Sequence, residues 1–141
     1  NENNKKIVIS THFRTKKRIL ENNKNISFSK DVMFLKPFNF SDYIKLQKNS
    51  YIVLSDSGTL TEETSILKTK SIILRDSHER PEGMEEATTI MCGLDRDKIQ
   101  TAIKILKSKT THKLVKDYDT LNFSDKVVRN MLSYLNYTVR N

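Results

Sequence analysis

The chain has 141 residues, 36% of them hydrophobic and 30% charged, with a formal net charge of +8. That length suits one domain with a buried core. No apolar run reaches the roughly 18 residues of a membrane-spanning helix, so a soluble chain without membrane insertion is expected. The single cysteine, Cys92, leaves no internal disulfide and fits a reducing cytoplasm, where a buried, inert thiol is its expected role. The three histidines lack the spacing of a zinc site.

Positive charge gathers in Arg14-Thr15-Lys16-Lys17-Arg18 and in the lysines between 104 and 116. Such charge attracts anions without choosing among nucleic acid, a membrane surface and a nucleotide diphosphate, and most of it reads as a solvated face. Nucleic-acid binding is the weakest alternative function, because no exposed aromatics are interleaved with the basic residues and no reader motif is present.

Short β-branched runs alternate with helical patterns along the chain, which predicts the α/β class: a Rossmann-like parallel sheet with helices on both faces. Lys6–Ser10 reads as the first strand, followed by a basic helix over 15–22 and a strand at Val32–Leu35. Pro37 and Asn39-Phe40-Ser41 mark a turn, and Ser41 is the predicted cap of a helix running to Lys48. Tyr51–Ser55 is continuously apolar up to its last residue, as a central parallel strand should be. Asp56-Ser57-Gly58 breaks that run, and Thr59 and Glu62 have the spacing of a capping box opening a helix to Thr69.

Ser71–Leu74 is the next predicted strand. Arg75–Glu86 is charged, contains Pro81 and Gly83, and reads as a long loop with one helical turn. A short strand over Thr89–Cys92 leads to Asp95, the predicted cap of a helix with Ile99, Ala102, Ile103 and Leu106 inward. Beyond a linker, Ser124 is predicted to cap a last helix whose Val127, Val128, Met131, Leu132 and Leu135 recur at helical spacing.

Three strand ends carry polar and cationic groups, and ligands of such sheets bind at the carboxyl ends of strands. Ser57-Gly58-Thr59 opens a helix whose free N–H groups suit a phosphate, with small residues that let it approach closely. A single glycine makes this neither a Walker A loop nor a G-x-G-x-x-G fingerprint, and an ordinary turn is the plain alternative. Glu63, one residue past the capping position, could accept hydrogen bonds from a ribose, or be an ordinary first-turn carboxylate. Arg75-Asp76-Ser77-His78-Glu79-Arg80-Pro81-Glu82 brings guanidinium forks to the same edge. An internal ion-pair cluster is the alternative there, more so for Arg75 and Asp76 than for Arg80. His12 and Arg14, just after the first strand, could both address a diphosphate, although a lone histidine is more often structural.

Ser55-Asp56-Ser57-Gly58-Thr59-Leu60-Thr61-Glu62-Glu63 resembles the Asp-Ser-Gly-Gly segment and paired glutamates of the non-hydrolysing UDP-N-acetylglucosamine 2-epimerases. Arg75-Asp76-Ser77-His78-Glu79-Arg80-Pro81-Glu82 resembles their Arg-Asp-x-x-Glu-Arg-Pro-Glu segment, and the interval between the two agrees. The likeness covers nearly the whole chain as the C-terminal half of such an enzyme. It implies one half of a GT-B-type two-domain fold, with the nucleotide in the cleft between halves and no cofactor. Ser57, Gly58 and Thr59 would then face the diphosphate, Glu63 the ribose, and Arg80 a phosphate or the sugar. His12 would lie on the diphosphate side, and Tyr43 would stack on the uracil unless it is a core aromatic.

The resemblance also implies that residues 1–141 are a C-terminal UDP-binding domain, a reading that fits the lack of an opening methionine. The last helix, over 124–141, would cross toward an N-terminal domain. That domain would supply the catalytic carboxylates, without which the chain is expected to be inactive, and the whole enzyme is expected to be a homodimer. Family members eliminate UDP to give a 2-acetamidoglycal and add it back after protonation of the other face. Such a route needs a cationic cradle for the leaving UDP and positioned acid–base groups for the proton; His12 is the only group here suggested for the latter.

Two departures stand out. Thr59 occupies the place of the family's second glycine, and His12-Phe13-Arg14-Thr15 differs from the family's usual run after the first strand. With Met84, the Arg75–Met84 loop is closer to the branch that epimerises UDP-linked 6-deoxy-N-acetyl-L-hexosamines toward N-acetyl-L-fucosamine, for capsule or O-antigen. The alternatives are a UDP-N-acetylglucosamine 2-epimerase forming UDP-N-acetylmannosamine, a GT-B glycosyltransferase donor domain, and a stand-alone nucleotide-binding module.

Overall fold

The computed structural model describes residues 5–22, 27–108 and 114–135. The chain divides into two compact units, residues 1–46 and 47–141. In the first, β1 (Ile7–Ser10) and β2 (Val32–Leu35) pair in parallel, from Ile7 opposite Val32 to Ser10 opposite Leu35. The connection between them holds α1 (Phe13–Asn22), which opens two residues before the predicted start. The ladder continues one step past β1, where the Thr11 amide donates to the Leu35 carbonyl at 2.8 Å.

The helix α2 (Phe40–Asn49) begins in the first unit and ends in the second. Its cap is Asn39, not the predicted Ser41: Asn39 Oδ1 accepts from the Asp42 amide and Asn39 Nδ2 donates to Asp42 Oδ2, both at 2.9 Å. The asparagine wins because its amide can serve the backbone and the carboxylate at once, which a serine at position 41 could not.

In the second unit β3 (Val53–Ser55), β4 (Ser71–Ile73) and β5 (Thr89–Met91) form a parallel sheet in that order. Each connection carries a helix, α3 (Leu60–Leu67) and the short α4 (Glu82–Glu85). The central strand is β4, whose Ile72 and Ile73 are fully buried, and not the predicted Tyr51–Ser55, which gives β3 at the edge of this sheet with Leu54 exposed. After β5, α5 (Arg96–Lys107) lays Ala102 and Leu106 on the core, flanked by Ile99 and Ile103 as its periodicity predicts. Asp95 caps it as expected, accepting from the Lys98 amide at 2.8 Å. Cys92 is buried in the same cluster, and burial pushes its thiol above the ordinary value, as an inert role requires.

Beneath α3 the sheet is polar: Thr64 Oγ1, Ser71 Oγ and Thr89 Oγ1 stand 2.9 Å apart in succession, all buried. This column of hydroxyls fixes α3 over β4 and β5 by directional bonds rather than by shape alone. A 3-10 turn at Lys116–Tyr118 closes over the same helix, with Val115 fully buried and its amide donating to Ser65 Oγ at 2.9 Å.

The last helix, α6 (Phe123–Tyr134), opens one residue earlier than predicted. Ser124 is therefore not its cap; Asn122 stands there in the left-handed conformation and makes no side-chain cap bond. No residue of α6 is buried, and Val128, Met131, Leu132 and Leu135 are exposed. Residues 136–141 of the predicted helix lie outside the described residues. No described helix is long and apolar enough to cross a membrane.

Candidate functional site

The turn Asp56–Thr59 carries the chain from the carboxyl end of β3 into α3. Its start is set by Ser55, whose hydroxyl accepts from the Ser57 amide at 3.0 Å. The capping box predicted for Thr59 and Glu62 does not form. Thr59 sits at the N-cap with helical angles (φ −78°, ψ −7°) and makes no cap bond, so its hydroxyl cannot reach back to the helix amides. Its Oγ1 instead donates to Glu63 Oε1 at 2.7 Å and lies 3.0 Å from Ser57 Oγ. The other carboxylate oxygen, Glu63 Oε2, accepts from Nε2 of buried Gln47 at 2.6 Å. The first-turn N–H groups of α3 are thus left without a side-chain cap, the state in which a helix N-terminus attracts an anion.

The loop Leu74–Pro81 leaves the carboxyl end of the neighbouring strand β4 and lies over that turn. A side-chain carbon at Gly58 would come within 3.0 Å of Arg80 Nη1 and 3.7 Å of Arg75 Nη1. Both guanidinium groups therefore stand over the turn, and a side chain at Gly58 would press on that of Arg80. Arg80 is held there by Glu62, whose Oε1 accepts from Arg80 Nε at 2.5 Å. This reverses the expectation for the loop: the ion pair belongs to Arg80, and none forms at Arg75 or Asp76 among the described residues. Both arginines are half-buried, so their charge is partly shielded from solvent.

Further contacts fix the loop's far end. The Arg80 amide donates to His78 Nδ1 at 2.8 Å, and His78 Nε2 lies 3.3 Å from the hydroxyl of fully buried Thr61. A side chain at Gly83 would overlap Thr61 Cγ2, so α4 packs on α3 through that glycine. Tyr118 donates to Glu82 Oε1 at 2.7 Å. The bond from its own backbone amide, then the one from Tyr118, hold the Glu82 carboxyl below its ordinary value, while burial, then Glu82, push the Tyr118 phenol up.

In the second unit, then, the structure brings Ser57, Gly58, Thr59, Glu63 and Arg80 together. Reasoning from sequence missed three contributors. Arg75 was weighed as an ion-pair partner but shares the space over Gly58; its place at a strand end was the available signal. His78 and Tyr118 carried no signal, because what they hold is set by the fold. In the first unit His12 and Arg14 lie together at the carboxyl end of β1, both exposed. There the Arg14 amide donates weakly to His12 Nδ1 at 3.4 Å, and Phe13 lies against both side chains. Tyr43, on α2, is half-buried.

The family model for UDP-N-acetylglucosamine 2-epimerase matches residues 1–132. The chain belongs to the UDP-N-acetylglucosamine 2-epimerase family. A curated member, the UDP-N-acetylglucosamine 2-epimerase of Methanocaldococcus jannaschii, is 37% identical over 107 residues, which are 74% of this chain and 29% of that protein. The structure of UDP-N-acetylglucosamine 2-epimerase from Rickettsia bellii superposes with a TM-score of 0.83 at 41% identity, covering 99% of this chain and 39% of that one. The M. jannaschii UDP-GlcNAc 2-epimerase, solved in complex with UDP-GlcNAc and UDP, gives a TM-score of 0.79 at 32% identity, covering 94% of this chain and 37% of that one. The fold is accordingly that of one half of the GT-B-like epimerases, and the chain spans less than a third of the curated relatives' length.

Proposed function

We propose that this chain is the C-terminal, UDP-binding part of a UDP-N-acetylhexosamine 2-epimerase. The observation that carries the reading is the space over Gly58, bounded by the uncapped start of α3 below and the Arg75 and Arg80 guanidinium groups above. A diphosphate fits that chemistry: backbone N–H groups and a helix dipole from one side, planar cationic forks from the other. Ser57 and Thr59 add hydroxyls at the turn, and Glu63 is the ribose acceptor. Their place after the first strand also assigns His12 and Arg14 to the diphosphate, and the family resemblance assigns Tyr43 to the uracil. The solved complex of a relative with UDP-GlcNAc and UDP supports this choice of ligand.

The reaction proposed is elimination of UDP to a 2-acetamidoglycal, followed by re-addition. A cradle that stabilises UDP as a leaving group and keeps it bound is what this part contributes. Acid–base carboxylates come from an N-terminal domain, toward which the apolar residues of α6 would pack, and the chain alone would not turn over. The Arg75–Met84 loop favours a UDP-linked 6-deoxy-N-acetyl-L-hexosamine as substrate, in cytoplasmic synthesis of a capsule or O-antigen sugar. UDP-N-acetylglucosamine is the second reading, favoured by the names of the relatives.

Calorimetric titration of the chain with UDP tests the site. Saturable binding, weakened at least about tenfold by R80A, is the expected result for loss of one charge-assisted contact. Equal binding by both would remove the site from this loop. Assay of C2 epimerisation on the two UDP-sugars, with the N-terminal domain present, separates the two substrates.

A further inference from the structure

The family segment matched by this loop leaves the position of His78 open, and no role follows for it from the reading above. Its surroundings are specific. Nδ1 accepts the Arg80 backbone N–H at 2.8 Å, so Nδ1 carries no proton in this arrangement. The proton of the neutral ring is then on Nε2, which faces the Thr61 hydroxyl at 3.3 Å and donates to it. Thr61 is fully buried on α3, and its methyl is the group against which Gly83 packs. The imidazole therefore spans from the loop to the same helix whose first turn forms the floor of the anion site.

We propose that His78, as the neutral ring protonated on Nε2, is a positioning residue for Arg80, fixing the backbone from which that guanidinium reaches over Gly58. The inference rests on the reading of this turn as the UDP site. Pro81 follows Arg80 and brings no N–H of its own, so the loop has few other backbone bonds with which to set its path. The Pro81 carbonyl is already taken by the amides of Met84 and Glu85 at the start of α4. Arg80 is thus located at two points, its amide by His78 and its Nε by Glu62, and both links end on α3. What they restrict is movement of the guanidinium relative to Gly58.

Three substitutions separate the role of Nδ1 from mere filling of space. H78N keeps an acceptor at the position of Nδ1, H78Q moves the polar group out to the position of Nε2, and H78A removes both. UDP titration of the chain should show affinity reduced about tenfold in H78A and H78Q, the loss expected for a hydrogen bond whose donor is left unpaired. H78N should stay within about threefold of wild type, since the acceptor is conserved. In the R80A background H78A should add nothing, because the residue acts through Arg80. Long-range imidazole nitrogen spectra of the wild-type chain should show Nδ1 of His78 unprotonated.

Wild-type affinity in H78A, an H78N chain as weak as H78A, or additive losses with R80A would overturn the positioning role. So would a protonated Nδ1, a result that stands even if a variant fails to fold. An R80A chain that binds UDP as well as wild type would instead overturn the reading of the turn. The nitrogen spectra would still decide whether His78 holds the Arg80 backbone.

Discussion

The turn Asp56–Thr59 and the loop Leu74–Pro81 meet over Gly58, yet they are held by different means. The turn is fastened from close by: Ser55 to Ser57, Ser57 to Thr59, Thr59 to Glu63, with Gln47 as a partner from outside it. The loop is fastened from far off, by Glu62 and Thr61 on α3 and, through Glu82, by Tyr118 beyond α5. A short turn can be shaped by its own hydroxyls because few torsions have to be fixed. A long charged loop lacks regular hydrogen bonding of its own, and its geometry is that of whatever it is tied to.

The sharpest way to break this contrast is to lift the loop's end off α3. G83A puts a methyl group into the space of Thr61 Cγ2 on the buried face of α4. Forced overpacking of this kind costs about 1–3 kcal/mol, so thermal melts should show the midpoint falling by several degrees. Because the overlapped atom is the threonine methyl, G83A combined with T61S should recover most of the loss. Melting of G83A at the wild-type temperature would mean the loop is not anchored through this contact.

The turn should respond to its distant partner Gln47. Gln47 is 3% exposed and donates to Glu63 Oε2. Q47E would set a second carboxylate at hydrogen-bond distance from the first in a site with little water. Like charges so placed raise one carboxyl's titration and destabilise the folded protein by about 1–3 kcal/mol near neutral pH. The sign is opposite to that of a salt bridge. The folded value lies above the unfolded one, so the penalty is full above the folded value and fades as pH falls and the pair takes up a proton. Melts near pH 7 and near pH 5 should therefore differ more for wild type against Q47E at the higher pH.

How far the sequence could be read follows the same division. Strand β2 came out at its predicted bounds, and the Asp95 cap and the inward face of α5 also stand where periodicity put them, since each is a local matter of spacing. The Ser-Gly-Thr turn was visible for the same reason. The capping box was misread because Thr59 has two acceptors within reach, and its helical backbone angles direct the hydroxyl to Glu63 rather than to the helix amides. Ser124 failed as a cap because the chain turns two residues earlier, at Asn122. The Glu62–Arg80 pair, His78 against Thr61, and Tyr118 on Glu82 join residues 18, 17 and 36 apart, and no spacing rule reaches that far.

The smallest effect should come from the most distant fastening. Y118F keeps the ring and removes only the hydroxyl that donates to Glu82 Oε1, so a midpoint lowered by a few degrees is expected, with the fold intact. Its pH dependence identifies the bond. In the folded chain the Glu82 carboxyl lies below its ordinary 4.5, so its contribution is fully present above that value and is lost as pH falls through the depressed one. At the other end, burial and then Glu82 raise the Tyr118 phenol above its ordinary 10.0. Above that pH the unfolded chain releases the phenolic proton first, and wild-type stability declines where Y118F has nothing to lose. The two stability curves should therefore stand apart in the middle of the range and converge in both acid and alkali. A gap that stays constant through the Glu82 titration would show that the hydroxyl supports the loop through some other group.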